Sequence, residues 1–115
     1  MALKKLYETP AGVSGDYWTI RRINLNKDNG FTEITLRLFV SEDQYLFLKK
    51  FNNIEDNHIA EKKVVIDDII TYNYADYYVK IKALKEWKET NTLDENGQYV
   101  QIQVDGFFAD AIDLI

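Results

Sequence analysis

The sequence predicts an α+β domain in which an antiparallel sheet packs against one main amphipathic helix. Three observations support this class: runs of alternating apolar residues, an Asn-Gly turn between two such runs, and one longer stretch with helical spacing. The chain has 115 residues, so we expect a single domain over 1–115. We expect roughly four to six strands, and the pattern leaves a partly closed barrel or a sandwich open.

The two longest strand patterns predict a hairpin over residues 17–40. Residues 16–25 read D-Y-W-T-I-R-R-I-N-L and residues 31–40 read F-T-E-I-T-L-R-L-F-V. In the second run apolar residues recur at every second position, which is the period of a half-buried strand. The pair Asn29-Gly30 lies between the runs. It supplies the positive φ angles that a tight hairpin turn requires.

The middle of the chain is less regular. Residues 41–51 fit either a short helix or a strand. Ser41 followed by Gln44 resembles a capping box, which favours the helix. The continuous apolar run Y-L-F-L that follows fits a strand equally well. Residues 52–60 are polar and predict a loop, and residues 64–66 predict a short strand.

One amphipathic helix is predicted between Asp67 and Trp87. Its apolar stripe recurs at spacings of three and four and consists of Ile70, Tyr74, Tyr77, Ile81 and Leu84, with Trp87 beside it. Asp67 and Asp68 lie at the predicted start. Four lysines crowd the second half: Lys80, Lys82, Lys85 and Lys88. This charge distribution suits the helix macrodipole, and we expect the lysines to form a solvated face.

The C-terminal part contains one more strand pattern and an apolar end. Residues 94–97 predict a turn, and residues 99–104 alternate as a strand. The last segment reads F-F-A-D-A-I-D-L-I. Because it is so apolar, we expect it to dock onto this domain or onto a neighbouring molecule.

The residues that usually carry catalysis are scarce. There is no Cys, and the single His, His58, lies in a polar segment where we expect an exposed loop. A zinc site would need mostly carboxylate ligands, which is uncommon. The two serines, Ser14 and Ser41, lie outside any G-x-S-x-G motif, and no nucleotide-binding glycine motif occurs. We therefore expect a protein that is not an enzyme and holds no cofactor or metal.

The charge balance disfavours nucleic acid as a partner. The formal net charge is −5, from 19 acidic and 14 basic residues, whereas nucleic-acid binding normally needs a basic face. One hairpin patch is the exception, because it combines rings with cations: Tyr17, Trp18, Arg21, Arg22 and Arg37. It could stack nucleotides, although ring packing under arginine stems is the simpler interpretation. No apolar stretch is long enough to span a membrane, and no signal peptide is evident, so we expect no membrane association.

The aromatic content favours contact with other macromolecules. The chain has eight Tyr, six Phe and two Trp, and such rings dominate many interfaces. We expect an interface formed by Tyr17, Trp18, Phe31, Phe39, Phe107 and Phe108.

Two short motifs carry a resemblance to a known group of proteins. Residues 17–23 read Y-W-T-I-R-R-I, and residues 108–114, after the predicted helix, read F-A-D-A-I-D-L. With the alternating strand between them, this order resembles the short structural proteins encoded in the morphogenesis regions of phages and prophages of low-GC bacteria. Those proteins share an early Y-W-x-I-x-x-I strand and a closing F-x-D-A-x-D-[VLI] segment. Residues 90–104 depart from this pattern as an insertion, which would extend the sheet or add a contact arm.

The resemblance implies a virion protein of the tail, baseplate or head–tail region, present in many copies and assembled in the cytoplasm of the host bacterium. Its partners would then be further copies of the chain, other virion proteins, or both. The alternative is a small phage-encoded binding module, an inhibitor or accessory factor, whose acidity suits a basic host protein. An oligonucleotide-binding sheet is the third hypothesis.

Overall fold

The computed structural model of the chain describes residues 2–52, 57–68 and 74–114. The elements follow in the order β1 (Ala2–Glu8), β2 (Ser14–Asn26), β3 (Phe31–Phe39), α1 (Glu42–Lys50), β4 (Ala60–Ile66), α2 (Tyr74–Ala83), β5 (Lys85–Leu93), β6 (Tyr99–Asp105) and β7 (Ile112–Leu114). Five strands form one antiparallel sheet in the order β4-β3-β2-β1-β7, and β5 and β6 form a second sheet by themselves. The predicted α+β class is confirmed, and the main sheet is open rather than closed into a barrel.

The predicted hairpin is confirmed as β2 and β3. Its ladder runs from Tyr17 opposite Phe39 to Asn26 opposite Phe31, with one irregularity near Arg21. The turn closes at Gly30, which has a φ of 71°. A glycine adopts this left-handed conformation without the steric cost that a Cβ would add.

Both faces of the main sheet carry apolar clusters, because neighbouring residues of a strand point to opposite sides. On the face that α2 covers, the buried cluster consists of Leu3, Trp18, Ile34, Leu36, Leu38, Ile66, Tyr77, Tyr78, Ile81, Phe108 and Ala111. On the opposite face, a smaller cluster consists of Ala2, Tyr17, Phe39 and Leu48, the last of which belongs to α1. One helix therefore packs on each face of the main sheet. No sandwich of two large sheets forms in the described residues.

The short helix α1 resolves the ambiguity at residues 41–51. Ser41 has an extended backbone, and its Oγ accepts a hydrogen bond from the backbone N–H of Gln44 at 3.1 Å. This cap satisfies one of the N–H groups that the first turn leaves without a partner. Acidic residues lie in the first turn and lysines in the last, which the helix macrodipole favours. The helical alternative is thus confirmed.

The predicted long helix is shorter than the apolar stripe suggested. The described helix α2 is Tyr74–Ala83, and its Tyr77 and Ile81 are buried as predicted. The assignment of Trp87 to this helix is wrong, because Trp87 lies in β5 opposite Gln103. Lys85 and Lys88 also belong to β5 rather than to the lysine-rich end of a helix. The backbone leaves the helix at Leu84, whose carbonyl accepts a hydrogen bond from Gly106 at 3.0 Å.

The predicted start of that helix adjoins residues 69–73, which lie outside the described part of the chain. Asp67 and Asp68 follow directly on β4, and the carbonyl of Asp68 accepts a hydrogen bond from the Thr32 hydroxyl at 2.7 Å. Ile70 lies outside the described residues. The strand β4 begins at Ala60, earlier than the predicted 64–66, so Asn52 and residues 57–59 are the described part of the predicted loop that lies outside helices and strands.

Both ends of the described chain join the main sheet. The strand β1, which the sequence did not predict, pairs with β2 and also with β7, so that Ala2 lies opposite Leu114. Phe108 and Ala111 are buried in the α2-side cluster. The prediction that the apolar C-terminal segment docks is therefore confirmed, and it docks onto its own domain.

Candidate interaction surface

The predicted interface residues are largely interior. Trp18, Phe39, Phe108 and Tyr17 are only 0%, 2%, 3% and 6% exposed, and Phe31 and Phe107 are half-buried. The expectation of an exposed contact surface is therefore corrected for Tyr17, Trp18, Phe39 and Phe108, whereas for Phe31 and Phe107 it stays a prediction. A buried cluster lies on each face of the sheet at Tyr17 and Trp18, so these neighbouring rings are buried on opposite sides.

The ring of Trp18 lies at the centre of an aromatic cluster. Its centroid is 5.1 Å from that of Phe108, 5.7 Å from that of Phe107 and 5.9 Å from that of Tyr7, at steep interplanar angles. Such tilted and edge-to-face pairs stabilise a core beyond the area they bury. The indole Nε1 donates to the carbonyl of Lys5 at 2.9 Å. These contacts give Trp18 a packing role.

The predicted platform of rings and arginines does not form. Tyr17 and Trp18 point to opposite faces of the sheet, so they cannot stack nucleotides on one surface. Tyr17 packs against Tyr45 with ring centroids 5.0 Å apart. Burial raises the pKa of the Tyr17 phenol, and the charges of Glu42 and Tyr45 raise it further. Arg37 donates to Glu61 at 3.2 Å.

His58 is half-buried, which corrects the prediction of an exposed loop residue. Its Nε2 lies 3.9 Å from Oε2 of Glu61, and its buried Nδ1 has no hydrogen-bond partner in the described chain. Ser41 uses its hydroxyl to cap α1. Within residues 2–52, 57–68 and 74–114, no cluster of three or more His, Asp or Glu side chains is arranged to hold a metal ion.

The strands β5 and β6 form a two-stranded ribbon over residues 85–105, called here the arm. At its base Lys85 lies opposite Asp105 and forms an ion pair with it. The insertion predicted at 90–104 therefore does not extend the main sheet, and it forms most of a separate element. Four large apolar side chains on the arm are exposed: Trp87 by 67%, Leu93 by 56%, Tyr99 by 51% and Ile102 by 47%.

The strand register places three of these side chains together. Trp87 lies opposite Gln103, Glu89 opposite Gln101, and Leu93 opposite Tyr99. Residues directly opposite each other in an antiparallel pair share one face. Trp87, Leu93 and Tyr99 therefore lie on the same face of the arm, which no other described strand or helix covers.

The base of the arm is held by close backbone contacts. Gly106 donates to Leu84, and a Cβ at Gly106 would lie only 2.6 Å from that carbonyl oxygen. The backbone N–H of Phe107 donates to Oε1 of Glu86 at 3.1 Å. Above this junction, Nζ of Lys62 lies 4.4 Å from the centroid of the Phe107 ring. A glycine at position 106 thus allows the arm to leave the domain at this point.

The tip of the arm is an ordered turn, as the sequence predicted for residues 94–97. Oδ1 of Asp94 accepts hydrogen bonds from the backbone N–H groups of Asn96 and Gln98, both at 2.9 Å. Gly97 has a φ of 75°. The tip is also acidic, because the sequence from Glu89 to Gln101 contains three carboxylates and no basic residue.

A second exposed apolar region lies on α1 and is called here the helix patch. It consists of Leu46, Phe47, Lys49, Lys50 and Phe51. Leu46 is 50% exposed, and Phe47 and Phe51 are each 58% exposed. The rings of Phe47 and Phe51 lie 4.9 Å apart, and Nζ of Lys50 lies 6.0 Å from the Phe51 ring. The patch is thus apolar with a basic border.

The sequence analysis offered residues 90–104 as a possible contact arm, but it did not single out the exposed side chains of the arm face or those of the helix patch. A signal was present, since Trp87, Leu93 and Tyr99 flank or occupy the predicted insertion. Neither helix in the described ranges has the length and apolar character needed to cross a membrane. Comparison of the chain with protein-family models, with curated proteins and with solved structures found no match.

Proposed function

We propose that this chain is a non-enzymatic structural subunit of a phage or prophage particle, in the tail, baseplate or head–tail region, and that it acts through protein–protein contact. The observation that supports this most is the exposed apolar face of the arm. An isolated two-stranded hairpin is at best marginally stable in water, and exposed apolar patches mark interaction sites. A partner protein that covers the face would stabilise the arm.

The helix patch supports the same proposal from a different part of the molecule. Its two phenylalanines are exposed, whereas Leu48 of α1 packs against the sheet. A subunit with two separate contact regions can be linked to neighbours on two sides, which repeated assembly requires. The assignment to a phage particle rests on the resemblance of residues 17–23 and 108–114 to motifs of phage structural proteins.

A second candidate is a binding module that occupies one host protein. The acidic tip of the arm and the net charge of −5 favour it, because a basic partner would be attracted to this surface.

The proposal is tested by mass spectrometry of particles purified by density from the source bacterium after prophage induction. We expect the chain at many copies per particle, at a ratio to the major capsid protein that stays constant across density fractions. An abundant host enzyme measured in the same fractions controls for carry-over. Detection only in the soluble lysate would overturn the proposal and favour the binding module.

A further inference from the structure

The arm and the helix patch are complementary in two properties. The distal half of the arm carries Glu89, Asp94 and Glu95 beside the exposed Leu93 and Tyr99, without any basic residue. The C-terminal end of α1 has the opposite charge, because Lys49 and Lys50 lie beside the exposed Phe47 and Phe51 there, whereas Glu42 and Asp43 lie at the other end of the helix. An apolar surface with an acidic border thus exists on the same chain as an apolar surface with a basic border.

The two surfaces do not cover each other within one molecule. The apolar side chains of both remain about half exposed or more, from 50% for Leu46 to 58% for Phe47 on the helix and from 51% for Tyr99 to 56% for Leu93 on the arm tip. The complementarity can therefore be used only between molecules. Opposite charges at the border of an apolar contact orient the partners and speed their association.

We propose that the chain associates with itself head to tail, so that the arm of one copy docks on the helix patch of the next. This inference deepens the proposed function and rests on it. Because the two surfaces differ, the contact is heterologous, and it generates a closed ring or an open filament rather than a two-fold dimer. The acidic residues of the tip would lie near Lys49 and Lys50, while Leu93 and Tyr99 would contact the phenylalanines of α1.

Two charge-reversal variants of the full chain separate this contact from other modes of association. The arm variant carries Glu89→Lys and Glu95→Lys, and the helix variant carries Lys49→Glu and Lys50→Glu. All four side chains are exposed. Circular dichroism and thermal melting of each variant establish that it is folded before its association is measured. Asp94 is left unchanged because its carboxylate holds the turn.

Sedimentation velocity over a range of protein and salt concentrations is the measurement. We expect the wild-type chain to form oligomers that weaken as salt rises, because salt screens exposed charges. Each variant alone should associate roughly 30-fold or more weakly, because like charges would then face each other at the border of the contact. An equimolar mixture should recover association, since each reversed arm then meets a reversed helix patch, and each unchanged arm an unchanged patch. The two variants alternate in such an assembly, so the wild-type size is recovered for an open filament or a ring with an even number of copies.

Three results would overturn the inference. A helix variant that assembles like the wild type would indicate that arms contact arms. Variants that stay separate when mixed, although both are folded, would exclude this pairing. A wild-type chain that stays monomeric at every concentration would exclude self-association, and the proposed function would still stand if the chain were found in particles. Assembly in solution together with absence from particles would support this contact and overturn the proposed function.

Discussion

The two tryptophans of this chain have opposite surroundings. Trp18 has no exposed surface, packs against three other rings and uses its indole N–H in a hydrogen bond to Lys5. Trp87 is 67% exposed on the arm. The same side chain thus stabilises the core at one position and is available to a partner at the other.

This difference predicts unequal effects on stability. Replacing Trp18→Ala should lower the free energy of unfolding by about 3–5 kcal/mol, because it removes buried area and leaves a cavity. The matched variant Trp87→Ala should change it by less than about 0.5 kcal/mol, as is usual for exposed positions. Urea denaturation of the two variants at low protein concentration provides the comparison. Equal losses for both would show that the assignment of core and surface is mistaken.

A surface ion pair leads to a prediction about pH. Lys5 donates to both carboxylate oxygens of Asp110, at 2.6 and 2.8 Å. This hydrogen bond, assisted by the Lys5 charge, lowers the pKa of the Asp110 carboxyl. The pair therefore contributes stability above the pKa that the carboxyl has in the unfolded chain. The contribution is lost as the pH falls through the lower pKa of the folded state.

The prediction is checked by an NMR titration of the Asp110 carboxyl. Its midpoint should lie below the usual range for aspartate, which is about pH 4. In a Lys5→Met variant the midpoint should rise towards that range. A midpoint that is the same in both proteins would show that the ion pair does not persist in solution.

The arm has less packing support from the rest of the described structure than the central strands of the main sheet have. The strands β2 and β3 lie inside a five-stranded sheet and pack on both faces, whereas β5 and β6 pair only with each other in the described structure. Its ladder is irregular between Glu89 and Leu93. Local opening costs least where few apolar contacts support the backbone hydrogen bonds.

Native-state hydrogen exchange should therefore divide the hydrogen-bonded backbone amides into a class that exchanges fast and a class that exchanges slowly. The hydrogen-bonded amides of β5 and β6 should exchange faster than those of β2 and β3 in dilute protein. The edge strand β4 is the matched control, because it also has one free edge but belongs to the main sheet. Protection of the arm equal to that of β2 and β3 would contradict its marginal stability. Stronger protection at higher protein concentration would indicate that another copy covers it.

The sequence predicted those secondary-structure elements that depend mainly on the pattern of neighbouring residues. The hairpin follows from its alternating residues and the Asn-Gly turn, whereas the Ser41 cap favoured α1 without excluding a strand. The apolar stripe misled beyond Leu84, because Trp87 falls at helical spacing while Lys85–Leu93 pairs with the next strand, β6. The strand β1 was missed because the adjacent Lys4 and Lys5 interrupt the alternation that would indicate a strand.

The burial of four predicted interface rings, Tyr17, Trp18, Phe39 and Phe108, was missed for a related reason. Alternation shows that Tyr17 and Trp18 lie on opposite faces of a strand, but it does not show whether each face is covered. Coverage depends on where α1, α2 and residues 106–111 pack, and these are contacts between segments far apart in the sequence. The exposed face of the arm likewise becomes apparent only when β5 and β6 are seen to form a separate sheet.

At the scale of the whole molecule, the residues that form the buried core are different from those that we propose to contact a partner. The main sheet with its two clusters contains the buried core, whereas the arm and the helix patch present apolar side chains outside it. A change confined to the arm should therefore leave the core intact. This separation makes the central proposal testable without loss of the fold.

The most direct test shortens the arm and measures incorporation into particles. Residues 89–101 are replaced by Asn-Gly, which joins the opposite residues Lys88 and Ile102 by a two-residue turn suited to a hairpin. The shortened chain should melt as the wild type does in dilute solution. Mass spectrometry of density-purified particles should find the wild-type chain at many copies and the shortened chain, expressed at the same level, absent. Incorporation of the shortened chain at the wild-type copy number would contradict the claim that the arm carries the function.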